Sequence, residues 1–484
     1  MLRARTLCLA LTAPALVTGC TGLSLGEKNP GGDTFLEYGE IAVDDRTEKA
    51  FLLNDFKDEK TLEETSFLRS VDPDSGLVSE VADLTGRTDA RILFPKSGIL
   101  LMSEEDSKDE LLLLDKDSFA EIKRQPLDVR YHGTRMSPSR EWIAVADNTS
   151  DTAPIHILDG ATLTQRVIPH NGDWLEAMWK NKSDELFAIV FYNMEQSDPN
   201  ADKPYARILS WSMEQVNAGG FKPDASGFWP DRKLDIQVDN VSGDYLFSFT
   251  WVGISPDDKW AVFPVRETDP NTPEEYALLV VDTATGEVRV VPDAKGPVGF
   301  TPDSSTIVSY DDKGSQNGAN GKTPDGEIDQ RLLLIDVETL EIDPQDVDIS
   351  GGISYFISRD GNYVVVASNL GDEKLALYDI DNAAATQMDG PAVGLGEFVS
   401  RKGKNELWLT DEPSLYKIDM VAAELSEIST GYGVQHINIL PKHDWLVLSD
   451  VPATTKDQPR VHFFDPVSLK DVKAVEMPAP PAGN

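Results

Sequence analysis

Cysteine is nearly missing from this 484-residue chain: Cys8 and Cys20 are the only two, and both fall within the first twenty residues. The body can therefore hold no thiolate zinc site, no disulfide framework and no catalytic thiol. Basic residues are scarce beside acidic ones, 44 Lys plus Arg against 83 Asp plus Glu, giving a formal charge of -39. Such a field repels phosphate backbones and anionic head groups, which argues against nucleic acid as a partner. The six histidines show no H-x-x-x-H or other tight ligand spacing, so zinc has no support. Past Cys20 there is no run of about 18 apolar residues, the length needed to cross a bilayer as a helix. What is present, 40% hydrophobic residues over this length, is ample for a buried core.

The N-terminal residues have the order of a secretory signal: Arg3 and Arg5, an apolar stretch from Leu7 to Val17 interrupted by Pro14, then small residues. Leu16-Val17-Thr18-Gly19-Cys20 resembles the lipobox of bacterial lipoproteins. That resemblance implies a signal peptide over 1–19, cleavage before Cys20 and acylation of Cys20. Several acyl chains anchor durably where one holds only marginally. Thr21, rather than Asp, follows the cysteine, which by the sorting habit of that family implies the outer membrane, with the body facing the periplasm or the surface. Residues 20–34, with Gly22, Gly26, Pro30, Gly31 and Gly32, read as a flexible tether. Gly22-Leu23-Ser24-Leu25-Gly26 matches the G-x-S-x-G nucleophile pattern, but a tether offers no strand-to-helix turn to give it meaning.

From about residue 50 onward, short apolar or β-branched runs alternate with Pro, Asp and Gly, and a two-part unit recurs. Its first half is a turn followed by a strand: Ser137 to Val145, Ser255 to Phe263, Thr301 to Val308, Ser358 to Val365 and Leu440 to Val447, with weaker copies near Phe94, Trp179 and Phe398. Its second half is an apolar strand closed by Asp: Leu111 to Asp115, Ile155 to Asp159, Leu278 to Asp282, Leu332 to Asp336, Leu375 to Asp379, Leu415 to Asp419 and Val461 to Asp465. Poorer copies run from Phe67 to Asp72 and from Arg207 to Trp211. A hairpin such as Thr283 to Gly286 and an alternating outer strand then follow.

Each unit makes a four-stranded antiparallel sheet that exposes both faces until neighbours stack on it, and closing the stack into a ring covers them all. The expectation is an all-β propeller over 35–477 with about eight blades, seven or nine being open. A frayed tail occupies 478–484. An incomplete first unit is expected, with strands around Phe35 to Asn54 completing the ring against the last blade. The Ser-Pro-Asp turns and the Asp-Thr-Ala-Thr-Gly hairpin at 282–286 resemble the WD-like repeats of TolB and related bacterial periplasmic propellers. More loosely, a lipid-anchored propeller is similar to the propeller lipoprotein of the outer-membrane barrel-assembly machinery.

The chemistry on offer is sparse. His156 and His462 fall inside second-half strands and read as structural, His443 falls in a turn, and His132 and His436 precede inner strands and would approach the central channel. The loop over 311–329 offers hard oxygens on a bendable backbone from Asp311, Asp312, Asn317, Asn320, Asp325, Glu327 and Asp329, so it is either a calcium site out of the usual register or a solvated insertion. The second insertion, Met213 to Asp239, carries Phe221, Phe228 and Trp229, which either anchor a partner or fold back on their blade. Trp142, Trp260 and Trp445 recur at one repeat position, which points to packing between blades rather than a sugar platform. A propeller-peptidase would need a further α/β domain for which the repeats leave no room. The expectation is a non-catalytic protein-binding scaffold in the envelope, without cofactor, engaging an envelope protein and touching the membrane only through Cys20. The alternative is a cation, carbohydrate or small-ligand binder, or a carbohydrate-active enzyme using paired carboxylates in the channel.

Overall fold

The computed structural model describes residues 34–35, 41–57, 64–105, 108–127, 133–146, 154–168, 172, 174–193, 204–214, 232–242, 253–267, 275–312, 330–347, 353–368, 374–390, 398–401, 403–450 and 459–478. Cys20, the loop aromatics Phe221, Phe228 and Trp229, and Asn317, Asn320, Asp325, Glu327 and Asp329 lie outside the described residues, as do His132 and His170.

The described strands fall into nine sheets, each built on a meander of four antiparallel strands, here A to D; in the fifth, strand A is two short segments, Val241–Ser242 and Gly253–Ile254, that pair the same strand B. The sheets cover residues 41–83, 88–127, 133–168, 174–239, 241–292, 295–346, 353–389, 398–428 and 434–476, numbered as blades 1 to 9. Inner strands A of neighbouring blades touch, as Ile41–Asp44 does Val434–Leu440 and Phe398–Ser400 does Val434–Leu440, so A lines the axis. Outer strands D alternate between exposed and half-buried positions, as in Leu234–Asp239. Strands B and C lie between and are buried on both sides; Glu185–Tyr192 is buried at every position.

Nine apolar clusters fill the walls between blades, each drawing on two neighbours. In strand C of blade 5, Leu278 and Val280 pack toward blade 6, while Ala277, Leu279 and Val281 pack toward blade 4. That period of two feeds both walls from one apolar run, which is why the second halves read as continuous Leu, Ile and Val. An open stack of nine sheets has eight walls. The ninth joins Ile41, Ala50 and Leu52 of blade 1 to Leu440, Val447 and Phe463 of blade 9, and closes the ring.

Two sequence expectations are thereby refined. Nine blades is the upper end of the expected range, and each of the nine second halves is the C strand of one blade. The first unit is complete, not partial: Ile41–Asp44 and Lys49–Lys57 are its own strands A and B, and among the described strands none is exchanged with blade 9. Closure rests on side chains instead. Asn438 donates to Ile41 O at 2.8 Å, Lys442 Nζ to Arg46 O at 2.7 Å and Lys473 Nζ to Pro73 O at 2.9 Å, while Arg69 reaches Pro478 O.

Candidate interaction faces

A four-stranded meander places its A–B and C–D connections at one rim and its B–C loops and blade-to-blade links at the other. The first, the turn rim, is built from a repeated device. In blades 3, 5, 6 and 7 the residue opening the A–B turn, Ser137, Ser255, Thr301 or Ser358, is buried. In blade 5 the Ser255 hydroxyl donates to Asp257 Oδ1 at 2.6 Å and accepts the Trp260 N–H at 2.9 Å, while the Asp258 N–H bonds Ser255 O at 2.8 Å. Blade 7 repeats this with Ser358, Asp360 and Tyr363 at 2.6 and 2.9 Å. The fourth turn residue takes a left-handed backbone, at φ of 61, 67, 65 and 79° for Arg140, Asp258, Ser304 and Gly361.

The C–D hairpins use the closing Asp of the second half. Eight of them, opening at Asp72, Asp115, Asp159, Asp282, Asp336, Asp379, Asp419 and Asp465, place the residue four positions on at positive φ. Only Gly76 and Gly286 among those eight are glycine; the rest, such as Leu163 and Leu340, hold a conformation costing about 1–2 kcal/mol. The Asp side chain offsets this by taking up turn N–H groups. Asp336 Oδ1 accepts the Thr339 N–H at 2.7 Å and the Thr339 hydroxyl at 2.8 Å. The Ser118 and Thr339 N–H groups hold the Asp115 and Asp336 carboxyls below the usual carboxylate range, and the Ser468 hydroxyl does so for Asp465.

The loop rim holds the unrepeated connections: residues 58–63, 147–154, 193–204, 268–274, 313–329 and 451–459 each join strand B to strand C of a blade. The acidic segment joins Thr306–Asp312 to Gln330–Asp336 of blade 6, so Asp311 and Asp312 are backbone-paired strand residues opposite Arg331 and Gln330. The aromatic insertion joins Tyr205–Ser212 to Leu234–Asp239 of blade 4 and belongs to the turn rim. Its last six expected residues are strand D, so the insertion is shorter than read. The strands that flank the two candidate contact elements therefore open onto opposite rims. Trp142 and Trp260 are buried between blades and Trp445 packs in the closing wall, as the repeat position implied.

At the axis, Thr34–Phe35 pairs antiparallel with the inner strand Thr88–Leu93 of blade 2, Thr34 opposite Ile92 and Phe35 opposite Arg91. It forms a fifth strand on the axial side of that blade. His436 sits half-buried on the inner strand of blade 9.

Polar side chains gather at three further places. A crevice of about 250 Å³ between blades 2 and 3 is lined by Lys96, Arg140, Glu141 and Trp142. Its charges are already engaged, Lys96 with Glu141 at 2.7 Å and Arg140 with Asp45 in two bonds of 2.8 Å. At the closing wall His443 lies 3.2 Å from both Glu48 and Asp74. Burial of the ring opposes protonation, but these two carboxylates outweigh it and raise the His443 pKa. Between blades 8 and 9, buried His462 stacks on Tyr432 at 3.7 Å and meets Asp471 at 2.8 Å. The Tyr432 hydroxyl donates to Asp471 at 2.8 Å; burial and that carboxylate raise its pKa far above the usual phenol range. Sequence reading did not find these groupings, because each draws on separate strands and turns with no repeated spacing to reveal it. Among the described residues no group of three or more His, Cys, Asp or Glu side chains is arranged to hold a metal, and no helix is long and apolar enough to cross a membrane.

No protein-family model matches the sequence, and no curated protein does. Similarity appears in solved structures. A structure described as the eukaryotic initiation factor aligns at TM-score 0.52 and 9% identity, covering 88% of this chain and 95% of that one, which is a likeness of fold alone. An oligogalacturonate lyase in complex with manganese aligns at TM-score 0.41 and 14% identity, covering 90% and 100%. Apo AztD from Citrobacter koseri aligns at 0.39 and 12%, covering 75% and 91%.

Proposed function

We propose that this chain is a lipid-anchored β-propeller of the bacterial envelope that serves as a non-catalytic protein-binding scaffold, without a cofactor. The observation that carries the reading is the division of labour between rims. The turn rim repeats two self-satisfied turns, the Ser- or Thr-opened A–B turn in blades 3, 5, 6 and 7 and the Asp-opened C–D hairpin in eight blades, and departs from them in the blade 4 insertion, whereas six of the B–C connections on the loop rim are long and share no pattern. Loops set on a rigid frame are where recognition resides, and unrepeated ones give each blade its own contact chemistry. The lipobox-like Leu16 to Cys20 supplies the anchor and the outer-membrane address. Likeness to the TolB-type repeats and to the propeller lipoprotein of barrel assembly is in keeping with a body that presents a surface to another envelope protein.

The test is direct. Mass spectrometry of the N-terminal peptide of the membrane-extracted chain should find acylated Cys20, and Cys20→Ser should move the protein out of the membrane fraction. Affinity capture of the wild type should recover one envelope protein in near-stoichiometric yield, and capture should fall at least about tenfold when 314–328 is replaced by a short Gly-Ser link, a loss of about 1.4 kcal/mol. Turnover of an envelope polysaccharide by the pure protein would overturn the non-catalytic reading and favour paired carboxylates in the channel.

A further inference from the structure

The direction of the axial strand fixes where the tether leaves the propeller. Strand A of blade 2 runs from the loop rim at Thr88 to the turn rim at Leu93. Thr34–Phe35 is antiparallel to it, with Thr34 opposite Ile92 near the turn-rim end and Phe35 opposite Arg91 deeper in. The chain before Thr34 therefore approaches from the turn rim, and Ile41 then starts blade 1 at the loop rim.

One feature of that rim agrees with a lipid surface. Among the described residues the most exposed large apolar side chains are Val467 at 75%, Val421 at 67% and Leu77 at 64%, all at C–D hairpins of the consecutive blades 8, 9 and 1. Carboxylates occur on both rims, in the B–C connections and in the Asp-opened C–D hairpins alike, so it is the exposed apolar side chains and not charge that set the turn rim apart.

Building on the anchored reading above, we propose that the turn rim is the bilayer-facing side of the molecule, with the tether leaving through the axial opening on that rim and the loop rim turned away. The 14 residues from Cys20 to Thr34 span about 50 Å fully extended and about 20 Å as a flexible coil, so the rim rests close to the head groups. The exposed valines and leucine then meet the lipid surface, while the acidic B–C connections keep the opposite rim in solvent.

The experiment uses the chain with residues 1–20 replaced by a hexahistidine tag, held on vesicles of phosphatidylethanolamine, phosphatidylglycerol and a nickel-chelating lipid. A single donor dye is placed on the turn rim by Ala284→Cys or on the loop rim by Glu412→Cys, in the B–C connection of blade 8, with an acceptor on the lipid head groups. A blade strand of about six residues separates the rims by about 20 Å, so transfer from position 284 should exceed that from 412 by at least about twofold. Equal transfer, or more from 412, overturns the orientation. A second variant tests the threading: F35C/R91C should close an intramolecular disulfide in the folded monomer, and failure to close it would remove the direction on which the orientation rests. Since the tag takes the place of Cys20, neither result depends on lipidation in the cell. Failure of the anchored reading would appear separately, as an unmodified Cys20 peptide.

Discussion

The two rims of the propeller are made from the same meander and differ in how their connections are held. On the turn rim, left-handed residues recur at fixed places and are secured by buried Ser or Thr hydroxyls and by Asp carboxylates that accept turn N–H groups. On the loop rim, connections vary from Glu412–Pro413 in blade 8 to the 17 residues of 313–329 in blade 6. The repeated turn contacts are thereby concentrated at one end of the blades, blade 4 with its C–D insertion excepted, and changes at the two ends should differ in their cost to stability.

The largest effect on folding is expected at Gly361. Its φ is +79°, and an added Cβ would lie 3.0 Å from Pro302 Cδ, so Gly361→Val should cost about 2–3 kcal/mol in a urea titration. Ser255→Ala removes a buried hydroxyl that both donates and accepts in the blade 5 turn; about 1–2 kcal/mol should be lost, while Thr at that site should recover most of it, as Thr301 does in blade 6.

Acid should act on the turn rim as well. Asp115, Asp336 and Asp465 have folded pKa values below their ordinary one, so their contribution is present above about pH 4 and is lost as pH falls through the depressed value. Asp336→Asn should flatten the fall in stability between pH 5 and pH 2. His443 works in the other direction. Its raised pKa means that its contribution to the closing wall is complete below about pH 6.5 and fades as pH rises through the folded value. His443→Gln should therefore weaken the ring more at pH 5.5 than at pH 9. Smallest of all, the Gly-Ser replacement of 314–328 should shift the midpoint by less than about 0.5 kcal/mol, because loop length enters closure entropy only logarithmically. A large loss there would erase the contrast between the rims.

What could be read from the sequence follows the same division. Strand C of every blade was legible, even Phe67 to Asp72 and Arg207 to Trp211, because burial on both faces demands a continuous apolar run, and in the eight blades other than blade 4 the hairpin adds its Asp. Blade 1 was misread as partial because its A–B turn lacks the Ser-Pro opening. There the Asp44 side chain accepts the Arg46 N–H and the Thr47 hydroxyl, and Glu48 takes the left-handed place at φ 57°. The axial strand at Thr34 and Phe35 and the closing contacts of His443 with Glu48 and Asp74 were not legible, since they join distant parts of the chain through no periodic pattern. Candidate contacts were placed by composition alone; only the strands flanking them showed that 313–329 and the aromatic insertion belong to opposite rims.

The most direct test of the scaffold account is chemical cross-linking with mass spectrometry on intact envelopes, using tagged protein that keeps Cys20. The account predicts one envelope protein linked reproducibly through the loop rim, with links at lysines in or beside 313–329 and few at the A–B turns. Links scattered over both rims among unrelated neighbours would contradict it.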